Sequence, residues 1–141
     1  HYGSQNASRL SLFAVKTMLQ EMTKDDNAGF KKITRIGNLM TKELKSIAQT
    51  TNQNMTVQNV GSMFHPVFTD LPKIENYREF CQAVNLEKYS KFAKLMRQNG
   101  VFFTGNKILH NLSCTEHTQS DINYTLNTAG NVLDLMNKNK Y

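Results

Sequence analysis

The stretch that decides the fold is VGSMFHPVFTD, residues 60–70. In an extended chain Met63, His65 and Val67 fall on one side and Phe64 and Phe68 on the other, which is the period of a strand. Gly61-Ser62 follows a second such pattern, Met55 to Val60, so the two runs form a tight hairpin or a bulged continuation, and glycine supplies the positive φ that either requires. Pro66 has no N–H to give a ladder, which predicts an edge strand or a bulge at that point.

Working upstream, Ser8 can cap a helix in which Leu12, Val15, Leu19 and Met22 recur as one buried stripe, and Lys24-Asp25-Asp26-Asn27 breaks it. A longer helix follows from Ala28, with Phe30, Ile33, Gly37, Met40, Leu44 and Ile47 three or four apart. Glycine inside a helix costs about 1 kcal/mol relative to alanine, so Gly37 is expected to mark a close crossing over a neighbour.

Downstream, Asp70-Leu71-Pro72-Lys73 is a turn, and residues 76–99 read as two short helices broken near Val84-Asn85. In the second, Tyr89, Phe92, Ala93 and Met96 form the inner stripe and Gly100 occupies a left-handed C-terminal position. Val101 to Thr104 and Ile108 to Cys114 are expected to pair as a hairpin around Thr104-Gly105-Asn106. Thr118-Gln119-Ser120-Asp121 has the form of a capping box ahead of a last helix carrying Ile122, Leu126, Ala129, Leu133 and Met136. The expected class is α+β, an antiparallel sheet with helices packed on one face.

The chain has 141 residues, 39% of them hydrophobic, enough for one domain with its own core. No apolar run approaches the roughly 20 residues a membrane span needs, and the first residues lack the order of a secretory signal. A soluble, cytoplasmic protein is expected, with no membrane partner. Net charge is +6, but lysines alternate with acidic residues, as in Lys42-Glu43-Lys45, and no aromatic-and-basic RNA signature occurs. These are solvated helix faces, and no nucleic-acid partner is expected.

Cys81 and Cys114 lie outside any CxxC and are read as reduced thiols. The four histidines are too dispersed for a metal pair, and no metal site is expected. No GxSxG elbow, P-loop or GxGxxG is present. Cys114 and His117 are three apart but straddle a strand end and a helix cap, which disfavours a nucleophile–base pair. Spacing alone assigns no reaction and no catalytic residue.

The order of motifs says more. VGSMFHPVFTD, then IENYREF, FAKLMRQNGVFF and SCTEHTQSDINYTL resembles the C-terminal region of the class III pyridoxal-phosphate-dependent aminotransferases, and within them the glutamate-1-semialdehyde aminomutases. The resemblance rests on Gly61-Ser62-Met63-Phe64 and on Glu116-His117-Thr118 at the right distance, and extends to Ser4 and Asn6 in YGSQNAS. It implies the small C-terminal domain of a fold-type I enzyme, residues 1–141, with 1–10 a remnant of the large-domain junction. The implied parent is a homodimer that transfers amino groups through pyridoxal 5'-phosphate.

By the same resemblance Ser4 and Asn6 contact the cofactor, while Gly61, Ser62, Met63, Phe64 and Asn106 border the substrate. The implied Schiff-base lysine and the aspartate that pairs the pyridinium nitrogen belong to a large domain, and no segment here resembles the lysine loop. The fragment alone is therefore expected to hold no cofactor and to be inactive, its partner being the large cofactor-binding domain of the same parent chain. The chain also departs from the pattern. Tyr2, Gln5 and Ala7 replace the family's Thr, Gly and Pro, and Leu109 stands where an acidic residue follows the Gly-Val helix end. A lost carboxylate removes a charge and a proton acceptor, so the alternative is a degenerate aminotransferase-like domain kept as a structural or interaction module.

Overall fold

The computed structural model describes residues 8–138. Helix α1 (Arg9–Thr50) is interrupted where expected: Lys24 is extended, and Asp25, Asp26 and Asn27 are left-handed. Asp and Asn tolerate that region best after glycine, so the break is written in their side chains. The 28–50 arm buries Ile36, Gly37, Met40, Thr41, Leu44 and Ala48.

The other arm corrects an expectation. Leu12, Val15 and Leu19 do not form a buried stripe but are exposed, as are Leu10, Phe13 and Met18. Beyond the break at 24–27 the arm leaves the core, and no element of the described chain covers those side chains.

Strands β1 (Met55–Val60) and β2 (Met63–Phe68) pair antiparallel from Val60↔Met63 to Met55↔Phe68, joined by Gly61 and Ser62. Gly61 has φ +57° and Ser62 does not join it among the positive-φ residues, the pattern of a two-residue hairpin turn with glycine first. The turn sits against α1 at Gly37, where an added Cβ would lie 2.2 Å from the Gly61 carbonyl oxygen. That is the close crossing the sequence implied.

Pro66 is accommodated differently from expectation. β2 is the central strand, in the order β1-β2-β3, and pairs without a bulge through Val57↔Pro66. Thr69 N–H donates to Asn54 O, whereas Ser113 N–H donates to Ser62 O on the other side. Backbone groups alternate along a strand, so the nitrogen of Pro66 faces the β3 side. There β3 (Asn111–Leu112) reaches only Met63 and Phe64, and no ladder bond is lost.

The second expected hairpin does not form. Residues 101–104 make no strand, and β3 pairs with β2 instead. The alternation in 101–104 is nonetheless used, with Val101 and Phe103 buried and Phe102 exposed. Phe103 packs edge-on against Phe64 and Phe92, and side chains take the backbone of Thr104: Asn111 Oδ1 accepts from its N–H at 2.9 Å and Tyr89 donates to its carbonyl at 2.9 Å. The run has found its core and its polar partners without a ladder.

Between the strands, α2 (Tyr77–Ala83) and α3 (Leu86–Gln98) are capped by Asn76 and Asn85, whose side chains accept from Glu79 N–H and Lys88 N–H. The α3 stripe of Tyr89, Phe92, Ala93 and Met96 is buried, and Gly100 has φ +77° at its end. α4 (Gln119–Lys138) starts on the expected box, with Asp121 N–H donating to Thr118 Oγ1 and Thr118 N–H to Asp121 Oδ2. The α+β class holds: α1 and α3 pack on one face of the sheet, and α4 packs against both of them.

The cap titrates. Hydrogen bonds from the Thr118 hydroxyl and then its N–H hold the Asp121 carboxyl below its ordinary value. A depressed carboxylate pKa contributes stability above the unfolded value, and that stability is lost as pH falls through the folded one. In Thr118→Ala the Asp121 carboxyl is expected to titrate closer to an ordinary aspartate, read by NMR. An unchanged titration would mean the cap does not set it.

Candidate functional site

The best-enclosed cavity described, about 350 Å³, lies where β2, the 101–104 run, β3 and the start of α4 meet the 28–50 arm. Phe64, Phe103, Ile36 and Met40 make its walls apolar, and His110, Asn111, His117 and Asp121 bring polarity to it. Asp121 is occupied by its own cap, and His117 Nδ1 accepts from the Cys114 backbone N–H at 3.0 Å. That bond commits the histidine's lone pair to the main chain, so His117 is not set to activate the exposed Cys114 thiol. The arrangement can bind and shape; it does not assemble a nucleophile with a base.

Of the residues the resemblance assigns to the substrate border, only Phe64 lines this cavity. Gly61 and Ser62 form the β1–β2 turn beside it, and the Ser62 carbonyl accepts from Ser113 N–H at 3.1 Å, which ties that turn to the end of β3. Met63 opens β2 on the opposite face of the sheet. Asn106 lies exposed on the loop before β3, where its N–H donates to Thr104 Oγ1 and its Oδ1 accepts from Ile108 N–H. Ser4 and Asn6 lie outside the described residues.

Sequence reasoning missed His110 and Asn111 as parts of this site. The alternation read over Ile108 to Cys114 does not single them out, because Asn111 acts through a side-chain bond to a backbone seven residues away. Its Nδ2 is buried without a partner. Neighbouring Tyr89 has its pKa raised by burial, with the Asn111 amide acting in the opposite direction.

A resident pyridoxal phosphate needs a lysine aimed into the site and donors for its phosphate. Every lysine among the described residues is exposed, and no lysine or arginine lines the cavity. The described residues therefore do not fit the cofactor by themselves. No group of three or more potential metal ligands occurs among them either, and none of their helices is long and apolar enough to cross a membrane.

The architecture is that of a transaminase segment. The chain matches an omega-transaminase from Sphaerobacter thermophilus with a TM-score of 0.76 at 16% identity, over 94% of this chain and 29% of that one. No family model matches the sequence. Among curated proteins, its homologues include the glutamate-1-semialdehyde 2,1-aminomutase of Desulfitobacterium hafniense strain Y51, 33% identical over 103 residues, covering 73% of this chain and 23% of the relative. The aminomutase of Chloroflexus aggregans is 25% identical over 126 residues, 88% of this chain and 29% of that protein. The resemblance carried by the motif order is thereby borne out, and the chain is aminotransferase-like. It spans about a quarter of the length of these relatives.

Proposed function

We propose that this chain is the C-terminal domain of a pyridoxal-phosphate-dependent class III aminotransferase or aminomutase, and that it covers the substrate side of an active site built mainly by a large domain of the same parent. The observation that carries this reading is the 33% identity over 103 residues to an aminomutase of which the chain spans 23%. In this role the β1–β2 turn with Gly61, Ser62 and Met63, the wall at Phe64 and the loop at Asn106 border the substrate. Ser4 and Asn6 approach the cofactor, and the Schiff-base lysine and ring-pairing aspartate come from the large domain. The parent works as a homodimer.

The exposed arm at 9–23 supports the partner. Leu10 is 79% and Phe13 68% exposed, and Leu12, Val15, Met18 and Leu19 on the same arm are exposed with them. A surface of that kind marks an interaction site rather than a solvated helix. It continues the junction assigned to residues 1–10, so this is the surface on which the large domain sits.

Two measurements test the reading. The 141-residue protein mixed with pyridoxal phosphate is expected to retain none through dialysis and to turn over no amino donor; retention with turnover overturns it. The protein is also expected to associate with the portion of the Desulfitobacterium hafniense aminomutase that remains when its matching stretch is deleted. Leu12→Glu with Leu19→Glu should abolish that association while leaving the protein's own urea midpoint unchanged. Failure of the unaltered protein to associate counts against the proposed partner.

Leu109 favours the second reading, a degenerate domain kept as a structural module. It stands where the family carries an acidic residue, on the loop proposed to face substrate, and its side chain is half exposed. Association without turnover by the reassembled pair is the outcome that selects this alternative.

A further inference from the structure

Asn99-Gly100 closes α3, and it is the one place in the sequence where glycine follows asparagine. Such a pair is chemically vulnerable. Glycine has no Cβ to keep its nitrogen away from the preceding side chain, so the main chain can attack its own neighbour. Both residues are exposed, so burial does not protect them. Hydrogen bonds do. Asn99 Nδ2 donates to Leu95 O at 2.9 Å, Gly100 N–H donates to Arg97 O at 3.1 Å, and the Tyr124 hydroxyl of α4 donates to Asn99 O at 2.9 Å. Asn99 has ψ 25°, which turns the Gly100 nitrogen away from the Asn99 side chain, and Gly100 holds the left-handed end of the cap at φ +77°.

We propose that Asn99 is a self-modification site gated by the α3 cap: when the cap opens, the Gly100 nitrogen cyclises onto the Asn99 side chain, and the product unfastens the 101–104 run from α3. In the closure a bond forms between the Gly100 nitrogen and Asn99 Cγ, the bond from Cγ to Nδ2 breaks, and the Gly100 proton leaves with the amide as ammonia. Water then opens the succinimide ring at either carbonyl and leaves aspartate or isoaspartate at position 99. No reagent besides the chain and water takes part. The inference rests on the chain's own contacts and goes beyond the aminotransferase reading.

Either product damages the cap that delayed it. Aspartate has no N–H to give Leu95 O, and it sets a negative charge at the carbonyl end of a helix, where the macrodipole repels it. Isoaspartate routes the main chain through Cβ and Cγ, one carbon longer. Gly100 N–H then loses its place beneath Arg97 O, and Val101 N–H loses its bond to Met96 O at 3.0 Å. Val101 and Phe103 are buried just beyond that point, and Phe103 walls the candidate-site cavity. A chemical change on the exposed end of α3 thereby reaches the cavity.

Peptide mapping of the full chain aged in mildly alkaline buffer tests the site. The tryptic peptide Gln98–Lys107 holds Asn99 with no other asparagine but Asn106, and fragmentation tells the two apart. Asn99 is expected to convert first among the asparagines, with isoaspartate in the product, and at least about tenfold faster in urea than in the folded chain. Tyr124→Phe keeps the ring and removes the hydroxyl. It should speed conversion in the folded chain roughly threefold to tenfold. Amide exchange at Gly100 and Val101 should rise in the same proportion, since both need the same opening. Asn99→Gln keeps a donor but enlarges the ring to be closed, and should suppress conversion at 99. In the converted protein the 101–104 amides should lose protection while β1–β2 amides keep theirs.

Conversion of another asparagine ahead of Asn99 would overturn the proposal, as would equal rates in the folded and urea-unfolded chain, which would mean that the cap gates nothing. An unchanged rate in Tyr124→Phe rejects the gate, and converted protein whose 101–104 amides keep native protection rejects the unfastening. Should Tyr124→Phe fail to fold, the unaltered protein still decides through its folded and unfolded rates. None of these outcomes depends on pyridoxal phosphate or on the large domain.

Discussion

Gly37→Ala is expected to destabilise the protein by about 2 kcal/mol, against the usual gain from replacing a helical glycine. Alanine at such a position recovers roughly 1 kcal/mol of helix propensity. Here that gain is outweighed. The new Cβ would stand 2.2 Å from the Gly61 carbonyl oxygen and 3.0 Å from Ser62 Cα, both main-chain atoms that cannot rotate away. Overpacking of this kind costs about 1–3 kcal/mol, occasionally more, because helix and hairpin must separate. Gly130 in α4 supplies the contrast. Its Cβ would meet only Ile47 Cγ2 at 3.8 Å, so Gly130→Ala should stabilise by roughly 0.5–1 kcal/mol. Urea denaturation of both variants checks the pair. If Gly37→Ala matches or exceeds wild type, the helix does not cross the hairpin at that residue.

Phe92→Ala is expected to cost more, about 3–5 kcal/mol. The side chain is fully buried at the centre of the α3 stripe, with Phe68 at 5.8 Å and Phe103 at 5.3 Å between ring centroids. Truncation opens a cavity between the sheet, α3 and the 101–104 run, and loses the edge-on contact that holds Phe103 in place without a ladder. The unfolding midpoint should fall accordingly. A loss below about 1 kcal/mol would show that this centre collapses to refill itself. Because Phe103 also walls the candidate-site cavity, Phe92→Ala should loosen the amides at 101–104 before those of the hairpin.

Much of this molecule can be read along the chain. The β1–β2 hairpin, the break at 24–27, the two short helices with their asparagine caps, the α3 stripe and the capping box of α4 all depend on residues within a few positions of one another. Periodicity, φ preferences and side-chain-to-backbone caps are local physics, and a local pattern displays them. Gly37 shows how far this reaches. A glycine where alanine would be better implies a neighbour close by, though not that the neighbour is the turn at Gly61.

The candidate site was legible only in part. The resemblance drew attention to residues 61–64, and Phe64 does line the cavity. His110 and Asn111 left no trace in the pattern, since their roles depend on which strand lies beside β2.

The sequence by itself determined most of the elements, the inner faces of the 28–50 arm, α3 and α4, and the α+β class, because each follows from spacing of three, four or two along a backbone of known geometry. Only the tertiary structure decided that β3 pairs with β2 and not with 101–104, that Pro66 can sit in a central strand, and that the stripe on the first arm stays exposed. Those outcomes turn on groups distant in sequence competing for the same backbone and the same apolar surface. Ser113, for example, donates its hydroxyl to Ile33 O across 80 residues. Such competition is settled by which arrangement satisfies the most buried polar groups at once, and no stretch of the chain carries that sum.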